Sequence, residues 1–320
     1  MFLSIIIPTY NSSKFIESTL DDVIDSMRMS DFQWELILVD DSSSDDTFRK
    51  ASNFLSKKNI NFKTIQLMKN VGQNIALFTG IKQSKGKFVV TMDDDMEVPA
   101  IEINKVLNAL LNDASADVLI GISKKDERSP IRQLGTKLHN NFNHFFYKVN
   151  FQASGFRIIR RSIVDTTTSF KTKAPHLGFL LIKSTKRIKN IHIQKNTGAR
   201  KSNYSLVKLV KLFISNTFNY TSLPLDLVSS MGILTSSVST MYGVFILVQY
   251  FTGFPKPISN PGWTSLITAM FFLSGLILLS LGIIGKYIMR LIFEMTDGKI
   301  SHARNYVEGS NSNTKIKKAS

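Results

Sequence analysis

The stretch FVVTMDDDMEVPA, from Phe88 to Ala100, governs the reading of the whole chain. An apolar, β-branched run ends abruptly in three aspartates and, soon after, a proline. Side chains alternate faces along a strand, so Asp93 and Asp95 are expected to project together beyond the strand's carboxyl end, where open α/β sheets bind ligands. Two carboxylates there suit a hard divalent cation, Mg²⁺ or Mn²⁺, which completes its shell with water and phosphate oxygens. A diphosphate substrate is the first expectation. The competing structural explanation is an acidic turn capping a helix that Pro99 begins.

Working outward, short β-rich runs alternate with helical patterns. Strands are expected at Leu3 to Ile7, Leu36 to Val39, Phe62 to Leu67, Phe88 to Met92 and Val118 to Ile122, with helices near Lys14 to Met27, Asp46 to Lys57, Gln73 to Ser84 and Ile101 to Asn112. This alternation implies βαβ units and a mainly parallel, Rossmann-like sheet. Two further segments carry apolar residues at helical spacing: Ile131 to Phe146, and Leu206 to Ile214 opposite Lys208 and Lys211. They read as amphipathic helices able to lie on a bilayer with snorkelling lysines.

The chain has 320 residues, no cysteine and a net charge of +16. Disulfides and thiolate metal sites are excluded, as suits a reducing compartment. The charge is uneven: Thr166 to Leu225 holds eleven Lys or Arg and no acid. With no RNA- or DNA-binding motif and no interleaved aromatic repeats, this block reads as a surface for anionic lipid rather than nucleic acid.

Leu227 to Phe251 and Pro257 to Gly285 lack Asp, Glu, Lys and Arg, and each is long enough to cross about 30 Å of hydrocarbon as a helix. Trp263 is placed as an interfacial aromatic. Lys286, Arg290, Lys299 and Arg304 follow the second stretch, so the positive-inside rule puts both chain ends in the cytoplasm. Met1 to Ile7 is too short and lacks the basic leader of a signal peptide. Gly232, Gly243, Gly275, Gly282 and Gly285 would permit close helix approach, including in a homo-oligomer. The expected organisation is a catalytic domain over 1–204, a juxtamembrane helix over 205–225, two membrane helices over 226–290 and a partly disordered cytoplasmic tail over 291–320.

Three more polar clusters close the first three strands: Pro8, Thr9, Tyr10, Asn11; Asp40 to Asp46; and Lys69 to Asn74. Each alone is an ordinary turn or helix cap. In this order, with Asp93 to Asp95, they are far more specific.

On IIIPTYN (Ile5 to Asn11), LVDDSSSDDT (Leu38 to Thr47), KNVGQNIALFTG (Lys69 to Gly80), MDDDMEVP (Met92 to Pro99), FRIIRR (Phe156 to Arg161), SNY (Ser202 to Tyr204) and GKYIMR (Gly285 to Arg290), the chain resembles family 2 glycosyltransferases of the GT-A fold. Within them it is most similar to the membrane-anchored polyprenyl-phosphate branch that includes dolichyl-phosphate mannose synthase. The resemblance implies that Pro8, Tyr10, Asn11, Asp40 and Asp41 surround the nucleoside, with Asp40 or Asp41 accepting a hydrogen bond from the base. It puts Lys69, Gly72, Gln73 and Asp94 beside the nucleotide sugar. Asp93 and Asp95 match the family's DxD pair, and Glu97 stands where a glutamine assists the metal. Lys124, Arg132, Arg157, Arg200 and Lys201 match contacts to acceptor phosphate or leaving diphosphate.

Ser12, Ser42, Lys69 and Gly155 depart from the family pattern, the last where many relatives carry an aspartate. A lipid phosphate tolerates that loss: with its second pKa about 6, a phosphate monoester is already largely dianionic at neutral pH and needs no base. The implied reaction is metal-dependent, inverting transfer from a nucleoside diphosphate sugar, most simply a UDP-sugar, to undecaprenyl phosphate at a bacterial cytoplasmic membrane, for envelope polysaccharide. Transfer to a sugar hydroxyl would require a base, for which Asp165 and His176 are the candidates, and an inactive membrane scaffold is the third alternative.

Overall fold

Four apolar strands, β1 (Leu3–Thr9), β2 (Trp34–Asp40), β3 (Asn61–Leu67) and β4 (Phe88–Thr91), lie parallel, each followed by a helix: α1 (Ile16–Arg28), α2 (Thr47–Ser56), α3 (Gln73–Gln83) and α4 (Glu102–Asn112). The computed structural model describes residues 2–123, 154–173, 175–196, 223–252, 262–295, 302–310 and 313–318. The strands read as unbroken apolar runs because helices cover both sheet faces. Leu3, Ile5, Ile7, Leu36 and Leu38 meet α1, α2 and α4 on one side; Ile6, Ile37, Val39 and Ile65 meet α3 on the other. Helix α1 shows how the pattern encodes this, since Ile16, Leu20, Val23, Ile24 and Met27 are fully buried along one stripe.

Pro8 sits near the end of the central strand without breaking it. The Met92 amide donates to Ile6 O on the β4 side, and the last β1–β4 pair is Ile6 with Thr91. Pro8, two residues further on that same side, lacks an N–H where no ladder partner remains.

Beyond the expected β5 (Val118–Ser123), the sheet gains elements that the sequence pattern does not announce. These are β6 (Arg157–Arg160), α5 (Arg161–Ser169), α6 (Leu177–Ser184) and β7 (Ile188–Ile193). Strand β6 runs antiparallel between β4 and β5, and α5 and α6 share the apolar face of α3.

The end of the chain corrects the expectation of a partly disordered tail. Strand β8 (Ala303–Ser310) pairs antiparallel with β3, and β9 (Asn313–Lys318) pairs with β8, giving the order β7-β5-β6-β4-β1-β2-β3-β8-β9. The polar composition misleads because β8 is peripheral: only Val307 and Gly309 of its eight residues are buried. Its ladders to β3 and β9 supply backbone partners on both flanks, so few apolar side chains are needed.

The chain divides into two units, Met1–Lys201 with Gly298–Ser320, and Ser202–Asp297. The second contains α7 (Leu223–Thr252) and α8 (Trp263–Met295), helices of 30 and 33 residues that contact one another. Within α8, Phe272–Met289 is long and apolar enough to cross a membrane, with mean hydropathy 1.9 and none of the window buried. No atom approaches within 4 Å of a side-chain carbon built at Gly232, Gly275, Gly282 or Gly285, so these glycines make no close approach among the described residues. The amphipathic segments expected at 131–146 and 206–214 lie outside those residues.

Candidate active site

The carboxyl ends of β1 to β4 converge on a polar cluster held by carboxylates. Asp40, the last residue of β2, is fully buried. Its Oδ2 accepts from the Ser43 amide at 3.2 Å and Gln66 Nε2 at 3.0 Å, and its Oδ1 accepts from the Ser43 hydroxyl. These bonds fix a turn in which Ser42 takes φ +61°. The turn in turn grips Asn11, itself at φ +51°: the Asn11 amide donates to Ser43 Oγ at 2.9 Å and the Ser44 amide to Asn11 Oδ1 at 2.9 Å. Asp41 Oδ1 and Oδ2 accept from the amides of Val71 at 2.8 Å and Gly72 at 2.7 Å. Gly72 caps α3 at φ +93°, ψ 151°, a conformation essentially reserved for glycine. Burial pushes both Asp40 and Asp41 up from the ordinary carboxylate range. Both are committed to fixing the turns at these strand ends, whereas Tyr10 and Lys69 are exposed.

The three aspartates do not alternate as a strand would. Strand β4 ends at Thr91, and Asp93 to Asp95 lie in the turn beyond it, with Met96 at φ +57°. Asp94, expected beside the nucleotide sugar, turns inward: Thr9 Oγ1 and Ser12 Oγ each donate to its Oδ2 at 2.5 Å. Ser12 thereby gains a reason. A glutamate there would face Asp94 as a like charge, whereas the hydroxyl donates to it.

Asp93 Oδ1 accepts from Gln73 Nε2 at 2.7 Å, tying the acidic turn to the start of α3. Its other face meets Gly155, where an added side-chain carbon would stand 2.2 Å from Oδ2. Burial, then the charge of Asp95, pushes Asp93 up to about 6, while Arg157 opposes the rise. Asp95 is raised as well, chiefly by burial, and its Oδ1 accepts from the Glu97 amide at 3.0 Å. Arg157 opens β6, paired across the ladder with Thr91, and its Nε is buried without a hydrogen-bond partner among the described residues. Burial lowers its pKa to about 10.

Mutually repelling, half-buried carboxylates are the donor set that a hard divalent ion relieves, so Asp93 and Asp95 fit one. Among the described residues no group of three Asp, Glu, His or Cys side chains converges as a closed metal cage. Glu97, expected to assist the metal, is engaged elsewhere: Lys195 Nζ lies 2.5 Å from its Oε1. Asn196 pins the same turn through Glu97 O and Met96 O, each at 2.9 Å. Lys124, Arg132, Arg200 and Lys201 lie outside the described residues.

Asp165 lies away from this cluster. It pairs at 3.6 Å with Arg161, which bonds Gly86 O before the start of β4, at the opposite end of that strand from Asp93. His176 precedes α6 with its ring edge-on to Phe179. The residues that sequence reasoning passes over are Gln66 and Lys195. Gln66 alone carried a signal, as a lone amide in the otherwise apolar end of β3.

Comparison with known proteins agrees with this architecture. The family profile "Glycosyl transferase family 2" matches residues 4–168, just over half of the chain. The chain is 26% identical over 297 residues to undecaprenyl-phosphate 4-deoxy-4-formamido-L-arabinose transferase of Proteus mirabilis, covering 90% of this chain and 89% of that one. It is 25% identical over 299 residues to an uncharacterised glycosyltransferase of Bacillus subtilis, covering 92% and 90%. Its fold is similar to glucosyl-3-phosphoglycerate synthase from Mycobacterium tuberculosis, solved with Mn²⁺ and UDP-glucose. There the TM-score is 0.52 at 18% identity, over 69% of this chain and 79% of that one. With the same four strand ends bearing the family's polar clusters, the chain belongs to glycosyl transferase family 2 and is a glycosyltransferase.

Proposed function

We propose that this enzyme moves a sugar, with inversion, from a UDP-sugar to undecaprenyl phosphate at the cytoplasmic face of a bacterial membrane, anchored by α7 and α8. The observation that carries the choice of acceptor is the seating of Asp93 against Gly155 beside Arg157. Where a hydroxyl acceptor would call for a carboxylate base, this site presents a glycine and a guanidinium whose Nε has no hydrogen-bond partner among the described residues. A phosphate acceptor arrives already ionised. The names of the relatives support a lipid phosphate, and the apolar window of α8 supports a membrane location.

Asp41, through Val71 and Gly72, and Asp40, through the Ser43 turn, shape a pocket for the nucleoside. Gln73 holds Asp93 toward the diphosphate. Asp93 and Asp95 would hold Mg²⁺ or Mn²⁺, which when bound would supply charge stabilisation to the departing diphosphate. Arg157 draws the acceptor phosphate in line with the anomeric carbon. A phosphate oxygen bonds to that carbon as its bond to the β-phosphate oxygen breaks, and the electron pair leaves on UDP. No proton is transferred.

The test incubates membranes containing the protein with labelled UDP-sugars, undecaprenyl phosphate and Mn²⁺. A chloroform-soluble sugar phosphate is expected, and none from any donor overturns the reading. A labelled product that resists mild acid, as an ordinary glycoside does, would shift the acceptor to a hydroxyl.

A further inference from the structure

The strand that follows α8 reaches the polar cluster at the carboxyl ends of β1 and β2 through a line of hydrogen bonds. Asn305 on β8 and Gln66 on β3 are direct cross-strand partners, and the register shifts between Gln66 and Leu67, which pair with Asn305 and Ala303. Such an irregularity re-aims a side chain at the end of a strand. Here Asn305 Nδ2 donates to Gln66 Oε1 at 2.6 Å, and Gln66 Nε2 donates to Asp40 Oδ2 at 3.0 Å. Asp40 then holds the Ser43 turn, and that turn holds Asn11. One residue past β3, the Met68 amide donates to His302 O at 2.9 Å, so the same C-terminal segment also steadies the approach to Lys69 and Gly72.

The order of donors along this line is forced. The buried carboxylate of Asp40 only accepts while ionised, so Gln66 must offer its NH₂ group there and leave its carbonyl facing β8. A side-chain amide has two nearly isosteric orientations. In the wrong one, Gln66 would set a carbonyl oxygen against the carboxylate, so Asp40 selects the orientation and Asn305, donating to the Gln66 carbonyl, adds its bond to it.

We propose that Asn305 is a positioning residue for nucleotide recognition: by bonding the Gln66 carbonyl it steadies the amide that holds Asp40, and with it the Ser43 and Asn11 wall, in the form that accepts the nucleoside. This rests on the nucleotide-sugar reading above. It assigns to the segment after the two long helices a part in donor binding.

The experiment uses the full chain in detergent, titrated calorimetrically with UDP, CDP and GDP in Mn²⁺. Wild type is expected to bind UDP. Asn305→Leu and Gln66→Leu should each weaken UDP about 3- to 10-fold, the range of one neutral hydrogen bond, and raise KM for the donor while kcat at saturation holds. The double variant should cost no more than the worse single variant, since both break one line. Arg304→Gln, on the same strand with an exposed side chain, is the control and should bind as wild type. If wild type binds no nucleotide, the nucleotide reading fails and the relay falls with it. If wild type binds but Asn305→Leu binds equally well, or the two losses add, the relay alone is overturned. Should Asn305→Leu fold poorly, Asn305→His, which keeps a donor at the position, must recover UDP affinity; folded Asn305→His with weakened affinity counts against the proposal.

Discussion

Asp93 and Gly155 are fitted to one another: a side-chain carbon at 155 would fall 2.2 Å from Asp93 Oδ2, inside any real contact distance. One of the two must move if residue 155 gains a side chain. Asp93 yields first, since among the described residues its carboxylate is held there by one hydrogen bond, from Gln73, and by the charge of Arg157. Gly155→Ala is therefore expected to leave folding nearly unchanged while misplacing the carboxylate proposed to hold the metal. Steady-state turnover should fall about 100-fold, the scale of an ångström's misplacement in an active site. Normal turnover in that variant would show that Asp93 needs no fixed position.

Asp95→Ala removes one of two carboxylates and relieves a cluster whose members already resist ionisation. Turnover should drop by about 100-fold or more, the worth of several kcal/mol of lost charge stabilisation. The melting temperature of the metal-free protein should not fall. Melting curves and a Mn²⁺ titration of activity on the same sample check both halves.

The pKa of Asp93 sets a direction for stability. Its value of about 6 in the folded chain exceeds the ordinary 3.8, so the folded state binds the proton more tightly. Wild type is thus favoured by this group below about 3.8 and loses that advantage as pH rises through about 6. Asp93→Asn cannot ionise. In chelator, its stability relative to wild type should grow from pH 4 to 6 and level off above, in thermal unfolding across that range. A difference that shrinks with rising pH would reverse the sign assigned to burial.

Arg157→Gln tests the acceptor side. Loss of a charge-assisted phosphate contact should raise KM for the polyprenyl phosphate about 10- to 100-fold, with UDP affinity held within a factor of about two by calorimetry. A loss confined to UDP would instead assign Arg157 to the leaving diphosphate.

For the anchor, the full chain expressed in bacteria should stay in the membrane pellet after alkaline extraction. Substituting two lysines into Phe272–Met289 should release it, since each charge at mid-bilayer costs about 2.5 to 3.5 kcal/mol.

The parallel half of the sheet is legible in the sequence because each strand is an apolar run closed by turn residues, and each helix bears a single apolar stripe. Legibility ends where local pattern stops deciding structure. FRIIRR offers only two apolar residues between arginines, yet Ile158 and Ile159 are inserted between β4 and β5 by long-range pairing. ARNYVEGS is polar because β8, held by ladders to β3 and β9, buries only Val307 and Gly309. At the site, the acidic residues were evident but their division of labour was not. Alternation would send Asp94 away from Asp93 and Asp95 as a strand residue, whereas the turn folds it onto Thr9 and Ser12. No composition rule pairs Gln66 with a residue 239 positions later.

That separation bears on how the protein is made. A ribosome delivers β3 long before β8, and α7 and α8 are threaded out in the interval. The outer flank of β3 therefore waits unpaired, an open template for unwanted strand addition, until β8 emerges. The wall built on Asp40, which Gln66 and Asn305 steady, is therefore completed only after both long helices have been synthesised.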